Sequence, residues 1–249
     1  MIKIKSPEDL RKMQEGGKIL AQILAIVSEG VKPGVSEKEL EEIANLEIKK
    51  RGGYPSFKKV RGYKNALCLS INDTVVHGIP GNYRFKEGDI VGIDCGVFYK
   101  GFNTDMAETV SVGSTNNEIY KFLETGRKAL SEAIGQARIG NRVGNISQKI
   151  QEIIERAGYS VVRTLVGHGI GKDLHEEPEV PGFLQGRIED TSLLKAGMTL
   201  AIEVIYNMGK SDVKYDKDGW TIRTKDGQIS GLFERTIAVT KSEPLILTR

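Results

Sequence analysis

Cysteine is nearly absent: Cys68 and Cys95 are the only two in 249 residues, and no CxxC pair occurs. A disulfide framework and a cysteine-rich zinc site are excluded, and a reducing, cytosolic compartment is expected. Long apolar runs are missing as well. The longest, around Ile19 to Val27, is broken by Gln22, and the opening MIKIKSPEDLRKM carries a charge every few residues. Neither a membrane span nor an export signal is expected. Neither sign of charge dominates, with 36 Lys and Arg against 33 Asp and Glu, and the basic residues form no block. Nucleic acid is therefore not the expected partner. No linker or low-complexity segment appears, and an apolar fraction of 39% is enough core for a chain of this length to fold alone.

What is present begins with helices. Ser6, Pro7 and the acidic pair Glu8 and Asp9 open a helix running to about Val31. After Pro33 and Gly34, Ser36 and Glu39 form a capping box for a second helix with an apolar stripe of Leu40, Ile43, Leu46 and Ile48, stopped by Gly52 and Gly53. Short strands and turns follow from Tyr54 to Pro80. A second helical pair is predicted from a Thr115 and Glu118 capping box to about Ile139, and from Ile146 to Ala157. The chain thus reads helix, helix, strands twice over, at a period of roughly one hundred residues and in architecture only. Two α+β halves packed together, with a cleft where their sheets meet, are expected. The dipeptides Asp218-Gly219 and Asp226-Gly227 predict a hairpin of Trp220 to Thr224 with Ile229 to Thr240.

Between the helical pairs lies IVGIDCGVFYKGFNTDMAETVSVG, from Ile90 to Gly113. Its two flanks alternate at a period of two around Tyr99, Lys100 and Gly101, which predicts a β-hairpin. With Lys100 and Gly101 as the loop, Asp94 faces Ala107 and Asp105 is its diagonal neighbour. With the loop one residue earlier, the two aspartates are directly opposite. Either register puts both carboxylates on one face, where like charges need a neutralising cation if they are buried. Other residues are equally out of place. Glu203 interrupts the apolar strand TLAIEVI, Glu234 interrupts LFERTIAV, and His168 sits between two glycines. A carboxylate inside an apolar strand is costly to bury without a partner. Four carboxylates and an imidazole suit two divalent ions, whose formal charges they balance.

Taken singly, each residue has a plainer account. Asp94 or Glu203 could pair with a lysine and Glu234 with Arg235, the glycines around His168 could mark a tight turn, His77 and His175 could be surface histidines, and the cysteines small core residues. The joint pattern outweighs these, because all three histidines fall in or beside the same segments.

The ordered set HGIP, IDCG with an aspartate eleven residues later, GHGIG followed by LHEEP, TLAIE, DGWT and FERT resembles the type I methionine aminopeptidases across nearly the whole chain. The resemblance implies one catalytic domain over residues 1–249, with the pseudo-symmetric pita-bread α+β fold: a central antiparallel sheet with helices outside. It implies Asp94, Asp105, His168, Glu203 and Glu234 as ligands of two divalent ions (cobalt, manganese, iron or zinc), with Asp105 and Glu234 bridging. It further implies Glu203 as general base and acid, His175 and His77 as catalytic and substrate-facing histidines, and a methionine pocket involving Tyr63, Cys68, Leu174 and Trp220. The implied substrates are N-terminal methionyl peptides and nascent chains. A cytosolic monomer is expected, with ribosome contact left open.

Three positions depart from that family's pattern. Val204 stands where proline is usual, Arg235 where histidine is usual, and Leu232 where glutamine is common. By strand alternation Arg235 should point away from the face that Glu234 serves. Two rivals are weighed. Proline-specific aminopeptidases and prolidases share the catalytic half but carry an added N-terminal domain, whereas here the catalytic helices begin almost at once. A binding or chaperone module that has lost its metals would not need all five ligands and both histidines.

Overall fold

The computed structural model describes residues 1–249. Helices α1 (Pro7–Glu29) and α2 (Glu37–Lys50) precede strands β1 (Tyr54–Pro55), β2 (Leu67–Ile71), β3 (Thr74–Val76), β4 (Ile90–Tyr99) and β5 (Phe102–Ser111). Helices α3 (Asn117–Gly135) and α4 (Val143–Arg156) then precede β6 (Ser160–Val161), β7 (Val166–Gly169), β8 (Glu176–Pro181) and β9 (Thr199–Asn207). The chain ends with β10 (Val213–Tyr215), β11 (Ile222–Thr224), β12 (Ser230–Ala238) and β13 (Leu245–Ile246).

The predicted capping box of Ser36 with Glu39 forms, and the predicted cap at Ser6 is also a capping box, closed by Asp9. Two details differ. Leu46 is 64% exposed, because it lies about 240° round the helix from Leu40; Leu40, Ala44 and Ile48, one turn apart, make the buried stripe instead. The cap of α3 is Asn116, whose side chain accepts from the Ile119 amide at 2.9 Å, not Thr115, and the helix stops at Gly135.

The two halves do not hold separate sheets facing across a cleft. Their strands join edge to edge in one antiparallel sheet, β1-β4-β5-β12-β9-β7-β8, with β2 beside β4 and β13 and β6 beside β12 and β9. Period-two alternation splits this sheet into two faces. One is apolar: Val91, Ile93, Cys95 and Val97 of β4 pack with Leu20, Leu24, Leu40 and Ile48 of α1 and α2. In the second half, Leu200, Ile202, Val204 and Tyr206 of β9 and Phe233 and Ile237 of β12 pack with Phe122, Ile146 and Ile150 of α3 and α4. The helices therefore cover one side and leave the other for the site.

The expected pairing of Trp220–Thr224 with Ile229–Thr240 is overturned. β11 pairs with β10 and β3 in a small separate sheet, and β12 lies between β5 and β9. The reason lies in β12, where Leu232 and Phe233, on opposite faces, are both buried. A strand buried on both sides belongs in the middle of a sheet. The Asp226 carboxylate also fastens its turn to the neighbouring loop by accepting from the Lys210 amide at 2.7 Å.

Candidate active site

In the β4–β5 hairpin, Tyr99 pairs with Phe102, so Lys100 and Gly101 form the loop, with φ of 46° and 88°. Positive φ at both positions is the geometry a two-residue hairpin needs. This register sets Asp94 opposite Ala107 and Asp105 opposite Gly96, the first of the two alternatives. Across the next seam Glu234 faces the same Ala107, and beyond it Glu203 is directly opposite Glu234. His168 faces Ala201, two residues before Glu203. Asp94, Asp105, Glu234, Glu203 and His168 therefore come one each from the successive neighbours β4, β5, β12, β9 and β7. Ala107 and Ala201, both fully buried, keep the floor between them low.

The glycines around His168 do not form a tight turn. They sit in β7, squeezed between β8 and β9. A Cβ on Gly167 would stand 2.5 Å from the Ala201 carbonyl oxygen, and one on Gly169 would stand 2.2 Å from that of Glu177. Only glycine lets the flanking backbones come close enough to set the imidazole beside the carboxylates. His168 Nδ1 lies 2.8 Å from the Gly169 carbonyl. A carbonyl only accepts, so Nδ1 carries the hydrogen and Nε2 is left as a bare donor atom.

Asp105, His168 and Glu234 offer ligand atoms that all lie within 4.8 Å of one another. Among lysine and arginine partners, Arg235 turns to Glu108 at 2.8 Å on the helix side, as expected, and Arg223 is engaged by Asp73 and Asp216. Asp94 Oδ1 is buried with no hydrogen-bond partner at all. Burial raises all four carboxyls. Asp105 is pushed up to about 7 and Glu203 to about 8, the latter also by the charge of Asp105. Asp94 and Glu234 are raised further, by burial and then by the neighbouring carboxylates. Burial and the nearby His175 push His168 down to about 4. An orphaned carboxylate oxygen in a crowd of like charges, with a bare imidazole nitrogen alongside, fits divalent cations and little else.

These five side chains stand in a cavity of 540 Å³ whose lining also includes His77, His175, Tyr63, Cys68, Leu174 and Trp220. All the residues singled out from the sequence thus meet in one place. Tyr63 stacks edge-on against Trp220, with ring centroids 5.0 Å apart, and Phe57 against Tyr63 at 6.3 Å. The Tyr63 hydroxyl donates to the Leu67 carbonyl at 2.7 Å, which leaves the rings as an apolar wall. His77 takes a φ of +57°, a sparsely populated conformation for a residue with a side chain. The imidazole of His175 lies 4.5 Å from that of His168. Its loop is tied down from two sides: Asn103 donates to the Gly171 and Lys172 carbonyls, both at 3.0 Å. On the other side Lys5 pairs with Glu176 at 2.5 Å, the two side chains only 5% and 1% exposed.

Phe57, Leu165 and Ile205 line the cavity too and were not singled out from the sequence, and Leu232, noted there only as a departure, lines it as well. Ile205 and Leu232 could have been found by alternation, since each is two residues from a glutamate of the site. Phe57 lies in a short 3₁₀ helix, Ser56–Lys59, and Leu165 in the irregular link before β7, and neither carries such a signal. Leu232, at a departure from the family pattern, packs with Val75, Val76 and Ala107, while Val204 is buried on the helix side.

A sheet with such a donor set on its open face defines a class of metal-dependent peptidase, and residues 11–241 match metallopeptidase family M24. A methionine aminopeptidase of Clostridium perfringens is 45% identical over 100% of this chain and 99% of its own length. The crystal structure of the methionine aminopeptidase of Thermotoga maritima superposes with a TM-score of 0.97 at 40% identity, covering 100% of both chains. The prolidase of Pyrococcus horikoshii shares the fold, with a TM-score of 0.79 at 23% identity, but this chain covers only 63% of it. The chain belongs to the M24 metallopeptidases and, within them, to the methionine aminopeptidases.

Proposed function

We propose that the protein removes the initiator methionine from nascent chains whose second residue is small, using two divalent ions held by Asp94, Asp105, His168, Glu203 and Glu234. Residues 1–249 would act as one catalytic domain. The observation that carries this reading is the convergence of four cation-free carboxylates, one with an orphaned oxygen, at the polar end of an apolar cavity. Asp105 and Glu234, diagonal neighbours across the β5–β12 seam, would hold the ions from the middle of the donor row, between Asp94 on one side and Glu203 and His168 on the other. When bound, the ions polarise the scissile carbonyl and lower the pKa of the attacking water from about 15.7 toward 7.

The chain's own groups do the rest. The free amine of the substrate is held at the Asp94 end, and its methionine side chain lies against Tyr63, Cys68, Leu174 and Trp220. Glu203 takes the proton of the attacking water and passes it to the leaving amine. A carboxylate in that position acts first as general base and then, once protonated, as general acid. Burial lowers the pKa of His175, so the ring stays neutral and can donate a hydrogen bond to the oxyanion as it forms. His77, also lowered by burial, faces the residue beyond the scissile bond and crowds a large side chain there.

Free buried thiols agree with a reducing cytosol, and no helix is long and apolar enough to cross a membrane. We take the enzyme to act as a monomer on nascent chains, with or without ribosome contact. Metal analysis of protein purified without chelator, with cleavage of Met-Ala-Ser, tests the reading. The expected result is two equivalents of cobalt, manganese, iron or zinc and release of methionine. Protein that cleaves with one equivalent or none would overturn the two-metal assignment.

A further inference from the structure

The two halves of the sheet meet only at β5 and β12, and that seam is unlike its neighbours. β12 pairs with β9 in unbroken register from Ser230↔Asn207 to Ala238↔Thr199, whereas its register with β5 covers only Glu234↔Ala107 and Arg235↔Met106. On each side of this short contact a threonine hydroxyl replaces the ladder. Thr109 Oγ1 donates to the Leu232 carbonyl at 2.7 Å and accepts from the Leu232 amide at 2.9 Å. Thr236 Oγ1 donates to the Asp105 carbonyl at 2.8 Å and accepts from the Asp105 amide at 2.8 Å. Thr109 lies two residues after Ala107 and Thr236 two residues after Glu234, so the arrangement has a local two-fold relation about the Ala107 and Glu234 pair. Both threonines are fully buried.

A hydroxyl inserted between two backbones takes up the length of a second hydrogen bond, so the strands must splay at both ends of the contact. The splay at one end falls on Asp105 itself. With both its amide and its carbonyl held by a single atom, the Asp105 backbone has one allowed setting relative to β12, which also carries Glu234. We propose that Thr236 is a positioning residue that sets the separation of the Asp105 and Glu234 carboxylates, and so the spacing of the ions they bridge. The proposal rests on the two-metal reading above. Thr109 performs the same backbone service for Leu232, which is not a ligand, and is thus a built-in control.

The test is calorimetric titration of Mn²⁺ into chelator-stripped wild type, Thr236→Val, Thr236→Ser and Thr109→Val, each first shown to be folded. Valine keeps the shape and removes the hydroxyl, and Thr236→Ala is the second choice should overcrowding prevent Thr236→Val from folding. Thr236→Val (or Thr236→Ala) is expected to bind Mn²⁺ about 10- to 100-fold more weakly, with Thr236→Ser and Thr109→Val within about threefold of wild type. Wild-type affinity in the valine or alanine variant, or an equal loss in Thr109→Val, overturns the positioning role alone. Should wild type take up no Mn²⁺, the same titrations are run with Co²⁺, Fe²⁺ or Zn²⁺, and uptake of none of the four overturns the metal reading and this proposal with it.

Discussion

Stripped of divalent ions, the protein should lose stability as pH rises through neutrality. Asp105 and Glu203 have pKa values of about 7 and about 8, against 3.8 and 4.5 for the free side chains. The folded chain therefore keeps protons that the unfolded chain has already released. Stability then falls as pH rises from the unfolded value and levels off above the folded one. The three histidines act in the opposite sense, because burial holds their pKa values below the usual 6.5. Their stabilising trend fades only between about pH 6.5 and 7.5, where the unfolded histidines finish releasing their protons, and above about pH 8 the buried thiols add to the carboxylate effect. The carboxylates dominate from pH 6.5 to 8. Integrating the proton difference for Asp105 and Glu203 across that window gives a loss of about 2 kcal/mol, of which the histidines offset up to about 1, leaving a fall of about 2 to 8 °C in Tm for a chain of this size. Scanning calorimetry of chelator-treated protein at half-unit steps would measure it. Adding back a divalent ion should raise the Tm most at the alkaline end, since the ligands must be deprotonated to bind. A flat or rising Tm between pH 6.5 and 8 in the stripped protein would refute the argument.

Three further outcomes are expected. Asp105→Asn should abolish turnover and release at least one metal equivalent, since an amide gives up a charge and a bridging oxygen; elemental analysis with both ions retained and near-normal turnover would count against it. His175→Ala should keep its metal while the turnover number falls roughly 10² to 10³-fold, the usual cost of one oxyanion donor, and loss of metal would make His175 a ligand instead. Met-Ala peptides should be cleaved at least about tenfold faster than Met-Ile peptides, and norleucine should nearly match methionine, because a pocket discriminates a small apolar change by only about 1 to 3 kcal/mol. Equal rates on Met-Ala and Met-Ile would sink the crowding role of His77.

What could be read in advance was whatever local chemistry dictates. The hairpin around Lys100 and Gly101 left two registers open, but both put Asp94 and Asp105 on one face, and the structure takes the first of them. Capping at Ser6 and Ser36 is equally local. The apolar strands interrupted by Glu203 and Glu234 announced a cost that some cation must offset, which is why the site was more legible than the topology around it. Pairing over long sequence separations was not legible. Asp226-Gly227 looks like a hairpin turn, yet the strand after it buries both faces and is drawn into the centre of the sheet. The hydroxyl bridges of Thr109 and Thr236 span 123 and 131 residues and leave no pattern in the neighbouring residues.

The strap formed by the first residues has a consequence in time. Ile2 packs against the core of the second half, the Lys5 amide donates to the Gly197 carbonyl at 2.8 Å, and Lys5 is paired with Glu176, whereas α1, next in the chain, lies against β4 and β5 of the first half. Lys5 is among the first residues made, yet Gly197 emerges roughly 10 to 40 s later at ordinary rates of synthesis. Within that interval α1 and α2 can already be packed on β4, and Asp94 and Asp105 already share one face of their hairpin without His168, Glu203 or Glu234. The strap waits as a short charged tail until the His175 loop arrives to be fastened. A growing copy of this enzyme is therefore inert until its last third is made, and its earliest residues are among the last to find their places.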